Sequence, residues 1–209
     1  MKYKNILFDL DGTLIDSAPG IVDSFQKAYR FIYNQECQQS ITSLIGPPID
    51  QVLEKVNGET KIETINLFVE EFKTNYDQFG YKKSILYNGV EDVLSFLKIN
   101  KLNVFIVTNK RSKPTKLILE HLSINQYFSE VVCPDTFKVK FKNKTELITD
   151  LIQRRSLIKS ESLMIGDTIH DGEAANLNQL DFALAEYGYG SHDNYSFRLN
   201  NLKQLINIL

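Results

Sequence analysis

Two carboxylates, Asp9 and Asp11, stand at the end of the apolar run Ile6-Leu7-Phe8, with Leu10 between them and Gly12-Thr13-Leu14 behind. An unbroken apolar run reads as a parallel strand covered on both faces, with Gly12 turning the chain at its carboxyl end. Ligands of open α/β sheets bind outside the carboxyl ends of the strands, so acids there are placed for chemistry. The simpler alternative is an Asp-Gly turn closing a surface strand. Later segments weigh against it. Polar groups recur where other predicted strands stop: Thr108-Asn109-Lys110, then Gly166-Asp167-Thr168, with Asp171 one helical turn later. Parallel strands bring such ends together. Carboxylates converging on one crevice repel each other unless a cation neutralises them, and hard oxygen ligands of this kind suit Mg²⁺. Asp167 and Asp171 are spaced i, i+4, so a helix beginning near there points both at one site.

The elements that must position these residues follow from hydrophobic periodicity. After Leu14 the pattern turns helical: Ile21, Val22, Phe25, Ala28, Tyr29 and Ile32 share one face, a short helix is expected from Pro48 to Lys55, and a third from about Thr60 to Tyr76. From Asn88-Gly89 the rhythm becomes helix and strand in alternation. Helices are expected at Val90–Leu97, Lys113–Leu122, Thr145–Arg155, Asp171–Leu177 and Asn201–Leu209, and strands at Asn103–Thr108, Glu130–Cys133, Ser162–Gly166 and Phe182–Ala185. Such alternation implies parallel βαβ units with right-handed crossovers. The expected architecture is a doubly wound, Rossmann-like α/β core from residues 1–15 and 87–209, carrying an inserted α-helical cap over residues 16–86.

Composition sets the outer limits. A chain of 209 residues with 43% hydrophobic and 24% charged residues is ordinary for a globular protein, and a formal net charge of -2 gives no electrostatic reason to expect nucleic acid or an anionic membrane as partner. Cys37 and Cys133 are far apart and lack metal-ligand spacing, so neither a disulfide framework nor a zinc site is indicated. No apolar leader or membrane-length run is visible, and the expectation is a cytoplasmic protein, monomeric or weakly dimeric.

Taken together, the motifs resemble the haloacid dehalogenase superfamily, and within it the phosphoglycolate phosphatase group with a helical cap. Asp9-Leu10-Asp11-Gly12-Thr13-Leu14 matches the first superfamily motif, Thr108-Asn109-Lys110 the second, and Gly166-Asp167-Thr168-Ile169-His170-Asp171 the fourth. Ala174-Ala175-Asn176, Gly188-Tyr189-Gly190-Ser191, Gly46-Pro47-Pro48 and Tyr87-Asn88-Gly89-Val90 extend the likeness over nearly the whole chain. The third motif departs from the group, which usually has lysine before proline. Here the candidates lie in Lys138-Val139-Lys140-Phe141-Lys142-Asn143-Lys144; Lys144 is the first choice, with Thr145 expected to cap the following helix, and Lys142 the second. Gln179 stands where relatives commonly have glycine.

The resemblance implies a phosphatase. Asp9 attacks phosphorus and forms an aspartyl-phosphate, and Asp11 acts as general acid and then base. Asp9, the backbone carbonyl of Asp11 and Asp167 hold Mg²⁺ with Asp171 alongside, while Gly12, Thr108, Asn109 and Lys144 face the phosphoryl oxygens. The substrate is a small phosphorylated molecule contacted by the cap. Phosphoglycolate is the group-level choice, and pyrophosphate, a sugar phosphate or a nucleotide fits the core equally well. The competing readings are a phosphotransferase or mutase of the same superfamily and a non-enzymatic aspartate-phosphorylated receiver or binding protein. The helical insertion argues against a receiver. A histidine metal site has no ligand spacing to support it, and the Tyr and Phe residues of the insertion read as its core.

Overall fold

The apolar run at the amino terminus becomes the middle of a sheet. The computed structural model describes residues 1–137 and 141–209. In chain order, β1 (Asn5–Phe8) and a two-residue strand β2 (Ile15–Asp16) lead into helices α1 (Ala18–Tyr33), α2 (Ile49–Asn57) and α3 (Ile62–Gln78), and the chain returns through β3 (Ile85–Leu86). There follow α4 (Val90–Ile99), β4 (Asn103–Val107), α5 (Ser112–His121), β5 (Glu130–Val132), α6 (Lys144–Arg155), β6 (Ser162–Gly166), α7 (Ile169–Leu177), β7 (Asp181–Ala185) and β8 (Phe197–Leu199). The main sheet has the order β5-β4-β1-β6-β7-β8, parallel throughout. This is the expected doubly wound α/β fold with a helical insertion.

Alternation along each strand feeds two separate cores. Ile6, Phe8, Val104, Ile106, Leu163 and Ile165 pack toward α4 and α5, whereas Leu7, Phe105, Val107, Met164 and Phe182 pack toward α6 and α7 through Leu147, Ile148, Leu151, Ala174 and Ala175. Both faces are covered, so β1 has no solvent-facing position: all four of its residues are buried, and the one polar side chain, Asn5, donates to the Ser162 hydroxyl at 3.2 Å. The inserted helices hold together through aromatic residues. Phe25 of α1 meets Phe68 of α3 edge to face at 4.9 Å and stacks on Tyr29 at 6.0 Å. Burying each such ring stabilises the pair by about 1.5–3 kcal/mol. The Tyr and Phe residues here serve as core, as expected, although Phe72 and Tyr76 also border the cavity described below.

Several elements differ from the sequence reading. The antiparallel pair β2–β3, with Ile15 opposite Leu86 and Asp16 opposite Ile85, joins the two points where the chain enters and leaves the helical segment. Two residues carry no detectable period. The last segment is not an α-helix over 201–209: β8 precedes a 3₁₀ helix at Leu202–Asn207, whose buried Leu202 and Leu205 are spaced for three residues per turn. Pro48 is the residue before α2 rather than inside its first turn. Gln179 has φ +62°, the left-handed conformation that explains why glycine is usual there. Among the described helices none is long and apolar enough to cross a membrane.

Candidate active site

Asp9 is the residue after β1, its backbone N–H donating to the Ile165 carbonyl at 2.8 Å, which continues the parallel pairing and fixes the side chain at the strand mouth. Asp167 follows β6 and Asp171 lies in the first turn of α7. All three are buried, and one carboxylate oxygen from each lies within 4.8 Å of the others. Lys144 joins them. Its Nζ donates to Asp9 Oδ1 at 2.6 Å and to Asp171 Oδ1. The lysine is the first residue of α6, because Asn143, not Thr145, caps that helix: the Asn143 side chain accepts from the Glu146 N–H at 3.0 Å. Lys142 faces solvent. Lys138 and Lys140 lie outside the described residues.

Asp171 is fixed by a capping box. Its Oδ2 accepts from the Thr168 backbone N–H at 2.9 Å and the Thr168 hydroxyl at 2.7 Å, leaving Oδ1 for Lys144. Asp167 accepts from the Tyr189 N–H at 2.8 Å. Gly12 lets the loop after Asp11 pass over it, since at φ +82° an added Cβ would sit 2.1 Å from Asp167 Oδ2.

Asp11 is placed differently from expectation. The chain beyond β1 turns instead of continuing extended, so its carboxylate does not join the other three. It accepts from Lys110 Nζ at 2.8 and 2.9 Å and from the Ser17 hydroxyl. Asp9 and Asp11 nevertheless border the same cavity of about 370 Å³, together with Thr108, Asn109, Lys110 and Lys144. Thr108 is buried at the end of β4, and its Oγ1 accepts from the Lys110 N–H at 3.2 Å.

Sequence reasoning gave Lys110, Ser17 and Tyr189 no role. Lys110 stood inside a quoted motif; its partner Asp11 lies 99 positions away and only the fold shows the pair. The Tyr189 hydroxyl accepts from the backbone N–H groups of Ser17 and Ala18 and donates to Asp16, tying the last loop of the core to the start of α1. A tyrosine between two glycines just after a buried strand was the available signal.

The electrostatics favour a cation. Burial, followed by the charges of Asp171, Asp167 and Asp11, raises the Asp9 carboxyl well above the usual range although Lys144 opposes this. Burial and then Asp171 push Asp167 up to about 7. Burial disfavours charge on Lys144, but Asp171 and Asp9 outweigh it and hold the lysine protonated. Three buried carboxylates thus face one ammonium, which bonds two of them, and their full ionisation calls for further positive charge on hard oxygen donors. That donor set fits a divalent hard cation.

Over 190 residues the chain is 28% identical to the tyrosine-protein kinase PtkA of Mycobacterium tuberculosis, covering 90% of this chain and 64% of that protein, so it spans just under two thirds of that relative. It is 33% identical over 223 residues to a phosphoglycolate phosphatase of Vibrio vulnificus, covering 100% and 96% of the two chains. The crystal structure of a predicted phosphatase from Clostridium acetobutylicum superposes with a TM-score of 0.89 at 26% identity, covering 100% of both chains. The family model of the haloacid dehalogenase-like hydrolases matches residues 6–185, and with that match over most of its length the chain belongs to this family.

Proposed function

We propose that this hydrolase is a divalent-metal-dependent phosphatase of small phosphate monoesters that works through an aspartyl-phosphate on Asp9. The observation that carries the reading is the buried group of Asp9, Asp167 and Asp171 around Lys144 at the strand ends, of which Asp9 and Lys144 border one cavity with Asp11 and Thr108. The relatives named phosphoglycolate phosphatase support it. Residues 1–15 and 87–209 form the catalytic core in this reading, residues 16–86 the cap, and the protein works in the cytoplasm on small molecules.

In the first half-reaction an Asp9 oxygen bonds to phosphorus as the ester P–O bond breaks, and Asp11 gives a proton to the departing alcohol oxygen. In the second, Asp11 takes a proton from water as its oxygen attacks phosphorus, and the Asp9–phosphorus bond breaks to release phosphate. The Thr108 hydroxyl, the backbone N–H of Asn109 and the Lys144 ammonium stabilise the charge on the transferring oxygens; Gly12, expected to join them, instead donates its N–H to the Ile15 carbonyl at 2.9 Å and serves the turn. Lys110 and Ser17 hold the Asp11 side chain at the cavity wall. Asp9, the Asp11 backbone carbonyl and Asp167 would hold the cation, Mg²⁺ in this reading, with Asp171 beside them. Bound there, it neutralises charge on the phosphoryl group and on the carboxylates.

Hydrolysis of 4-nitrophenyl phosphate is expected to require Mg²⁺ and to stop in EDTA; full activity in chelator would remove the metal from the mechanism. The kinase relative favours a second reading, transfer of the phosphoryl group from Asp9 to an acceptor other than water. Release of inorganic phosphate in proportion to alcohol excludes it for a given substrate.

A further inference from the structure

The wall of the cavity away from Asp9 has a different character from the phosphate end. It is built from Ile21 of α1, Ile45 and Ile49 around the start of α2, and Ile65, Val69 and Phe72 of α3. Successive positions of α3 divide the work: Phe68 turns into the aromatic core while Ile65 and Val69 border the cavity. At about 370 Å³ the space holds roughly a dozen water volumes, more than a phosphoryl group and a two-carbon acid occupy.

Charge is distributed against an anionic leaving group. Each cation described around the cavity is paired with a carboxylate of the protein itself: at the phosphate end Lys144 with Asp9 and Asp171 and Lys110 with Asp11 at 2.8 Å, and toward the apolar wall Arg111 with Asp77 at 2.8 Å and Lys73 with Glu70 at 2.6 Å. Asp50, also on the wall, has no cationic partner among the described residues. A carboxylate seated on the apolar wall would lose its water, have to compete with Asp77 and Glu70 for Arg111 and Lys73, and face Asp50. An uncharged apolar group instead gains about 25 cal/mol for each Å² it removes from water.

Building on the phosphatase reading, we infer that the preferred substrates are phosphate monoesters of uncharged alcohols with an apolar body, seated between α2 and α3, and that esters of hydroxy acids such as glycolate are poor substrates. The test compares benzyl phosphate, 4-carboxybenzyl phosphate and phosphoglycolate in Mg²⁺, with 4-nitrophenyl phosphate as the general phosphatase control. The first two differ in one charged group remote from the reacting bond. The expected kcat/KM for benzyl phosphate exceeds both carboxylates by about tenfold to hundredfold. Ile65→Lys, which places a cation on the same wall, is expected to shift the ratio toward 4-carboxybenzyl phosphate. In thermal unfolding without turnover, benzylphosphonate is expected to protect the wild-type protein more than 4-carboxybenzylphosphonate does. Equal or greater kcat/KM for either carboxylate would overturn the inference and leave the phosphatase reading standing. An unchanged ratio in folded Ile65→Lys would place the leaving group elsewhere and overturn it too. Hydrolysis of none of the four esters would overturn both.

Discussion

Asp9 and Asp11 have separable tasks, and isosteric substitutions distinguish them. Asp9→Asn keeps the shape and removes the nucleophile, so neither phosphoenzyme nor turnover is expected. Asp11→Asn leaves the nucleophile in place. With a nitrophenolate leaving group Asp9 should still be phosphorylated, while hydrolysis of the intermediate slows by about 10²- to 10⁴-fold. Intact mass of acid-quenched protein should then show one added phosphate on Asp11→Asn and none on Asp9→Asn. Wild-type turnover by Asp9→Asn would favour direct attack by water. Asp167 supplies a second test at this scale. Its folded value of about 7 exceeds the ordinary 3.8, so the folded state holds its proton over that interval and the unfolded state releases it. Stability of the metal-free protein relative to the unfolded chain is therefore greatest below about 4 from this group and is lost as pH rises through about 7. Melting curves in EDTA should show this loss on going from pH 5 to pH 8, and saturating Mg²⁺ should flatten it by favouring the ionised carboxylate. Identical pH dependence with and without Mg²⁺ would contradict the assignment.

At the scale of elements, the site depends on where α6 and α7 begin. Both helices present their first turn to the strand ends, one with Lys144 at its first position and the other with Asp171 in its capping box. Asn143→Ala removes the side-chain acceptor for the Glu146 N–H and should destabilise the protein by about 1 kcal/mol. Because the next residue is Lys144, the same substitution should lower kcat as well, whereas loss of stability alone would leave kcat of the folded fraction unchanged. Denaturant titration and saturation kinetics on one preparation separate the two outcomes. The strand pattern predicted both helices, but their starts were each displaced by one or two residues. The sequence reading put Thr145 at the cap because threonine caps well; Asn143 occupies the place since its extended backbone, φ -157° and ψ 171°, is where the incoming chain turns into the helix.

For the whole molecule, the helical segment 18–83 joins the rest of the chain at two crossings tied by β2–β3 and by the Tyr189 hydroxyl, and touches α5 and its approach through Asp77–Arg111 at 2.8 Å and Lys82–His121 at 3.2 Å. A two-residue ladder is a small connection beside the aromatic core of α1 and α3, so the segment is expected to move as a unit about it. Such motion admits substrate and then excludes water from Asp9. Crystals with and without a bound phosphonate should differ in the angle between α3 and β1. A constant angle would mean that the cavity is reached by another route.

The sequence by itself determined five of the six strands of the main sheet and the acids at their ends, because both are written locally, whereas the short edge strand β8 was not legible in it. Continuous apolar runs at Ile6–Phe8 and Leu163–Ile165 specify buried parallel strands, and the acids directly after them inherit the strand mouths. Alternating helices fixed the parallel crossovers. Only the tertiary structure decided which side chains meet. Lys144 and Lys142 are indistinguishable in composition, and the point where α6 begins separates them: Lys144 opens the helix and reaches Asp9, while Lys142 lies ahead of the Asn143 cap in solvent. Asp11 has its nearest cation 99 positions away, so no local pattern could show that Lys110 turns it from the other acids. The cavity wall was likewise out of reach. Ile65, Val69 and Phe68 share one helical stripe, and their division between a cavity and an aromatic core depends on the position of α1 and α2, which helical periodicity does not encode.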